Sequence, residues 1–354
     1  MRPVPAASRV WKVAQLEGLA TSGLDVAAFQ TQALRRLRSL ITIDAAFFAT
    51  VDPETLLFTS ASSEEPLVEA ASLFLDNEFG RDDVNKFASL ATAADPVSSL
   101  DVATRGDRAD STRFREVMAP LGLGDELRVA LRSRGQCWGV LCLHRAAAAT
   151  GFDDDEIALV RRIAPLLADG IRRGMAMAAA TRDDHVPPDG AGVIVLGPDL
   201  SVVSINAPAD GWLDDIAGEW PSTFDVPVPV IAAAARVIAP DLGGPVESVV
   251  ARLPSKRGGW ISVQASRLRG RGREEVVVVV QPATTQEVGS LVLAAHGLTP
   301  AQQRVAALVL QGRSTAEIVT TLHISTNTLQ EHLRAVFDRF GVGSRRELVA
   351  ALMG

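Results

Sequence analysis

Four polar side chains near the end of the chain, Asn327, Gln330, Glu331 and Arg334, recur at three- and four-residue spacing, which puts them along one face of a helix. Each type has a complement on a base edge. Asn and Gln pair bidentately with adenine, Arg pairs with guanine, and Glu accepts from the cytosine amino group. Beside them stand groups suited to phosphate oxygens: the guanidinium groups of Arg313 and Arg345, and the hydroxyls of Ser314, Ser325 and Thr326 where helices begin. Bond-making chemistry has far less support. The five histidines and two cysteines follow neither an HxxEH nor a CxxC spacing, and there is no glycine-rich phosphate loop and no Gly-x-Ser-x-Gly elbow. We therefore expect no catalytic residue, no metal site and no cofactor. Cys137 and Cys142 sit in a strand-like run, where period two points them to opposite faces as unlinked core thiols.

Helices must hold the four polar residues in place, and their ends are written locally. Thr299-Pro-Ala-Gln302, Ser314-Thr-Ala-Glu317 and Ser344-Arg-Arg-Glu347 are capping boxes, and Ser325 caps a further start without the acid. Pro300 falls at a first helical position, where its missing N–H costs nothing. Gly312, His323 and Gly341 supply the stops. Four helices follow, the second and third joined by the short turn His323-Ile324-Ser325, a helix-turn-helix spacing. On the third helix Leu329, Leu333, Val336, Phe337 and Phe340 should pack on Val305, Ala306, Leu308, Val309, Ile318 and Leu322, leaving the polar face outward.

Residues 298–354 resemble the LuxR-type (NarL/FixJ) helix-turn-helix DNA-binding domain. The resemblance lies in the Leu-Thr-Pro start, in Gly312 to Ile318, in Ile324 to Leu333 and in Phe340 to Leu348. It implies a transcriptional regulator whose third helix reads base edges through Asn327, Gln330, Glu331 and Arg334. Arg313, Ser314, Ser325, Thr326 and Arg345 would then take phosphates. Gln330, followed by acidic Glu331, stands where the family often has a basic residue, and Ala316 where it often has Lys. Few arginines are left to displace counterions, so a small salt dependence and reliance on a homodimer are expected. Glu331 reads equally as a solvated acid, Ser314 and Ser325 as caps, Arg345 as an ion-pair partner, and His332 as a structural hydrogen-bonding group.

Two stretches rich in Pro, Gly, Asp and Thr, 181–190 and 282–289, divide the 354 residues in three. The first third alternates β-rich runs (45–51, 56–60, 126–132, 137–144) with helical segments. It ends in an apolar stripe, Ile157, Val160, Ile163, Leu167, Ile171 and Met175, whose partner is either its own domain or a second subunit. Residues 25–175 resemble a GAF domain, the small-molecule-sensing α+β fold, in element order and in Gly135 to Arg145. Phe47, Phe79, Phe114, Met118 and Trp138 are candidates to line a pocket for a small apolar ligand. In the middle third, a hairpin ends in Asn206, a short helix follows, and strands close at 250–253, 259–265 and 275–280. This is similar to a PAS domain. Asp225 and Arg236 are the ionisable side chains between Trp220 and Pro240, so a charged cofactor is not expected there.

The resulting expectation is a multidomain chain: an α+β GAF-like sensor with flanking helices (1–180), an α+β PAS-like domain (191–283), a linker (284–297) and an all-α four-helix DNA-binding domain (298–354). Net charge is −7 overall, but from Ser290 onward six arginines face four acids, an acidic body with a mildly basic tail. There is no export signal and no apolar run long enough to cross a membrane, so the expected location is the cytoplasm. Double-stranded DNA, a second copy of the chain and RNA polymerase are the expected partners. The alternative is a protein-interaction regulator with weak or lost DNA binding. No acidic-pocket receiver with a switch lysine opens the chain, which favours control by a ligand or partner over phosphotransfer.

Overall fold

The structure, a computed structural model, describes residues 6–180, 188–216, 224–239, 246–269 and 274–353. Most of the 181–190 stretch, and Trp220 and Pro240, fall outside the described residues. No described helix is long and apolar enough to cross a membrane.

The front of the chain begins with α1 (Ala6–Ala20) and α2 (Val26–Arg38). The second starts where the Asp25 carboxylate accepts from the Ala28 N–H at 2.8 Å. There follow β1 (Ala45–Val51), β2 (Phe58–Ser63), α3 (Ala71–Gly80), α4 (Phe87–Thr92), β3 (Val97–Ser99) and α5 (Leu100–Thr104). A π-helical turn over Phe114–Met118 then leads into β4 (Leu123–Ser133), β5 (Gln136–Ala146) and the long α6 (Asp154–Ala180). The five strands form one antiparallel sheet in the order β2-β1-β5-β4-β3.

Strands β1, β4 and β5 are buried along almost their whole length, so both faces of the sheet are covered. Helix α6 closes one face, packed on β4, α1 and α2. Its stripe of Ile157, Val160, Ile163, Leu167, Ile171 and Met175 is wholly buried within this chain, which decides between the two partners in favour of its own domain. The Phe29 ring lies so close to Gly170 that a Cβ there would come within 2.1 Å of it; glycine lets α2 and α6 touch.

A second antiparallel sheet follows from β6 (Gly192–Leu196), β7 (Val202–Ile205), α7 (Ala207–Asp215), α8 (Val228–Ile238), β8 (Ser248–Pro254), β9 (Trp260–Leu268) and β10 (Glu275–Pro282). Its order is β7-β6-β10-β9-β8. Asn206 joins hairpin to helix: its Oδ1 accepts from Val193 N–H at 2.8 Å and from Ala209 N–H at 3.2 Å, and its Nδ2 donates to Ala191 O at 3.0 Å. Helix α8, rich in Ala, Val and Ile, lies between this sheet and the α3 and β2 side of the first. Apolar residues of both sheets consequently share one core. Within it, the buried Asp52 carboxylate takes two bonds from the Arg252 guanidinium, each 2.7 Å, and one from its backbone N–H at 2.8 Å.

Cys137 and Cys142 are both buried and unlinked. They are not separated by strict alternation, because Cys137, Val140 and Cys142 all join the same core; the alternation slips between the first two. Burial raises both thiols, Cys137 to about 12.

The C-terminal helices form a separate compact unit: α9 (Thr285–Ala295), α10 (Pro300–Leu310), α11 (Thr315–Leu322), α12 (Thr326–Phe340) and α13 (Arg345–Met353). Residues 284–297, read from sequence as a linker, carry α9. It is capped by a Thr284–Glu287 box and sends Leu293 into the core of the unit.

Candidate functional site

Each expected helix start carries its capping hydroxyl, and two of the three expected capping boxes close reciprocally. Thr299 and Ser314 accept from the N–H three residues on, and Gln302 and Glu317 return the bond. Ser325 accepts from Thr328 N–H at 3.1 Å. At the last start Glu347 takes the Gly343 N–H and the Ser344 hydroxyl, each at 2.8 Å. His323 and Gly341 end their helices in the left-handed region, at φ 51° and 65°.

These ends fix how α12 is rotated. Leu329 and Val336 are fully buried with Val305, Ala306, Val309 and Ile318, while Leu333, Phe337, Phe340, Leu308 and Leu322 pack around them. Leu298 and Leu348 join the same core, and sequence reading did not single them out for it. With the apolar side committed, Asn327, Gln330, Glu331 and Arg334 are all exposed on the opposite side.

They are not equivalent. Asn327 Nδ2 donates to Glu331 Oε1 at 3.3 Å, so this pair would have to exchange its mutual bond for a base. Among the described residues, Gln330 and Arg334 have no side-chain partner. Arg313, Ser314, Ser325 and Thr326 are exposed near the N-termini of α11 and α12, where unsatisfied N–H groups favour anions. Arg313 also pairs with Glu317 at 3.2 Å across one exposed turn, worth little in water. Arg345 is half-buried and spends two N–H groups inside the protein, on Arg313 O at 3.1 Å and Thr315 Oγ1 at 3.3 Å. It braces the start of α11. His332 is half-buried and has no side-chain hydrogen bond to any of the described residues.

In the front unit a pocket lies against the first sheet, lined by Phe47, Ser63, Leu67, Ala71, Phe74, Val117 and His144. Of the aromatic residues expected from sequence, Phe47 lines it. Phe79, Phe114 and Met118 pack in the adjoining core, and Trp138 is fully buried with its Nε1 donating to Ser133 O at 3.3 Å. Phe47 and Phe74 meet with ring centroids 4.7 Å apart.

Sequence reading missed the charged cluster beside this pocket. Glu126 Oε2 takes Arg113 at 2.8 Å and its Oε1 takes Arg128 Nε at 3.2 Å, while Arg128 Nη1 also reaches Glu78 at 2.8 Å. Asp83 accepts from the Arg113 N–H at 2.7 Å and from Asn77 at 2.8 Å. The Arg128 guanidinium lies 4.1 Å from the centroid of Phe87, within cation–π range. Burial alone would raise the Glu126 carboxyl, but Arg113 and Arg128 hold it at about 2. Burial drives His144 down to about 4, against the opposing pull of Glu126.

Residues 25–171 match the GAF domain family, and residues 296–352 match the family described as bacterial regulatory proteins, luxR family. No curated protein matches the sequence. Among solved structures the chain is similar to a phage VqmA–DPO complex, with 18% identity over 47% of this chain and 84% of that one and a TM-score of 0.20. It is similar to VqmA of Vibrio cholerae in complex with ligand and DNA, with 20% identity, coverage of 48% and 88%, and a TM-score of 0.24. A third likeness is the GAF domain of a sensor histidine kinase from Pseudomonas syringae pv. tomato, with 17% identity, coverage of 47% and 86%, and a TM-score of 0.31. At these TM-scores the three likenesses carry no argument of their own. The chain thus carries a GAF domain over 25–171 and, over 296–352, a helix-turn-helix domain of the luxR family of bacterial regulatory proteins, the two parts of a DNA-binding regulator with a sensor domain in front.

Proposed function

We propose that the chain binds double-stranded DNA as a homodimer at an inverted repeat, that α12 enters the major groove, and that a small molecule in the GAF domain controls this. The observation that carries the reading is the outward polar face of α12, fixed by a fully packed inner face and headed by unpartnered Gln330 and Arg334. In this reading Arg334 takes a guanine, Gln330 and Asn327 adenines, and Glu331 a cytosine. Arg313, Ser314, Ser325 and Thr326 approach phosphates, and Arg345 acts by bracing α11. Two copies are needed because one reading face carries little positive charge. The second sheet, with Asn206 at its hairpin-to-helix joint, supports a PAS-like domain over 191–283 between the sensor (1–180) and the DNA-binding region (298–354). Cytoplasmic location and a contact with RNA polymerase belong to the same proposal.

The test is retention of sheared genomic DNA by the purified chain at two salt concentrations, beside Arg334→Ala, followed by sequencing. The expected result is an enriched inverted repeat that loses its guanine preference in the variant, a cost of about 1–3 kcal/mol at that position. The Asn327–Glu331 pair and the scarcity of cations on α12 favour a second reading, a regulator that acts by binding protein. Retention unchanged by Arg334→Ala, or absent at low salt, would select it.

A further inference from the structure

We propose that Cys142 and His144 hold one soft monovalent metal ion, copper(I), between them on the buried face of the first sheet. The site goes beyond the DNA-reading proposal and does not depend on it.

Alternate residues of a strand share a face, and on β5 this pairs Cys142 with His144, opposite Phe47 and Ala45 of β1. The Cys142 sulfur, a ring nitrogen of His144 and a Glu126 oxygen lie within 4.8 Å of one another. Both Glu126 oxygens are held by arginines, which leaves the sulfur and the nitrogen as ligands. Bonds of about 2.3 Å to sulfur and about 2.0 Å to nitrogen, as zinc makes them, reach across roughly 4.3 Å, and they suit atoms no more than 4.8 Å apart. His144 is 1% exposed, and neither ring nitrogen has a hydrogen-bond partner among the described residues. A buried polar atom left unpaired is costly and marks a place for a missing partner. The pocket that this ring helps to line has about 10 Å³ of free space, room for one water or one bare ion.

The neighbouring charges select the ion. Arg113, Arg128 and Lys86 stand against Glu78, Asp83 and Glu126, so the cluster is neutral while Cys142 keeps its proton. On binding, the S–H bond breaks and its proton leaves to solvent; the sulfur bonds to the ion, and a ring nitrogen of His144 gives it a lone pair. One positive charge enters and one departs. A divalent ion would leave an uncompensated positive charge beside two buried guanidinium groups, which burial makes costly. Softness points the same way, because thiolate ligands select copper(I), and Phe47, Leu67 and Phe74 line the pocket with apolar surface that limits solvent access. Neither an HxxEH nor a CxxC spacing describes the pair, which sits two residues apart on one strand.

The experiment titrates the reduced full chain with copper(I) under nitrogen, in competition with the chelator bicinchoninate, beside Cys142→Ser and Cys137→Ser. The unaltered chain should retain one copper(I), and so should Cys137→Ser, which loses the other buried thiol and keeps the site. In Cys142→Ser the affinity should fall by about 100-fold or more, beyond the cost of losing an outer partner. X-ray absorption of the copper-loaded chain gives a second reading without any variant: one sulfur and one imidazole nitrogen should be the neighbours of copper. Zinc(II) at the same concentration should not displace it. Retention unchanged in Cys142→Ser, a copper shell without sulfur, or zinc held as tightly as copper would each overturn the assignment. No copper retained against the chelator would overturn it too, and would leave a water as the partner of His144.

Discussion

The two sheets of the front unit have the same strand order, second-first-fifth-fourth-third, and different interiors. On the first, the face turned away from α6 carries Glu126, Arg128 and His144 among aromatic rings, with a pocket beside them. On the second, the corresponding room is taken by α8, in which Val228 to Ala235 are all buried and apolar. Strand order therefore does not tell a sensing fold from a structural one. What fills the covered face does: a satisfied apolar helix leaves nothing for a ligand to complete, whereas a polar cluster with an unpaired histidine does.

The contrast can be attacked at its strongest point by Glu126→Leu, which takes from two buried guanidinium groups the carboxylate they share and leaves Arg128 to Glu78 and Arg113 to Asp83. A loss of about 3–5 kcal/mol is expected from the denaturation midpoint. A loss below 1 would mean that the charges do not set the first sheet apart.

Next in size is acid titration. The His144 pKa in the folded chain, about 4, lies below its ordinary value, so the unfolded chain binds the proton first. The stability from keeping this ring neutral is complete above about pH 6.5 and is lost as pH falls towards 4, by about 3 kcal/mol at most. His144→Phe should flatten that slope. Glu126, held at about 2, contributes stability that is present above its unfolded pKa, about 4.3, and is lost as pH falls below that towards 2.

Adding volume sharpens the comparison from the other side. Ala233→Leu in α8 should cost about 2 kcal/mol through overpacking, while Ala71→Leu, at the pocket wall, should cost less. The smallest effect is expected from Asn206→Ala, about 1 kcal/mol for a lost cap, read as a small drop in Tm.

Legibility followed the range of the interactions. In the helical unit the starts and stops from Thr299 onward were readable because a capping box spans four residues; the box at Thr284–Glu287 that starts α9 was missed, because it lies in a stretch read as linker. The longer strands of both sheets were also visible, while the three-residue β3 (Val97–Ser99) was not, and Asn206 behaves as its position suggested. Glu126 and Arg128 were not visible as a site, since alternating charges on a strand look like a solvent face until another layer covers them. The pocket wall depended on Ala71 and Phe74 of α3 meeting β1 and β5, a matter of tertiary packing that no spacing records. The two thiols misled because one slip in alternation overrides period two.

The helix α8 and the Asp52–Arg252 pair carry a consequence for how the protein is handled and how it unfolds. Because apolar residues from Ala45 to Val280 share one interior, the stretch at 181–190 is a seam in sequence and not in cooperativity. Cut there, the first piece bares the surface that α8 covers and leaves Asp52 buried without its cation. The front unit should melt in a single transition, and a ligand that stiffens the GAF pocket should raise the melting point of the second sheet along with the first.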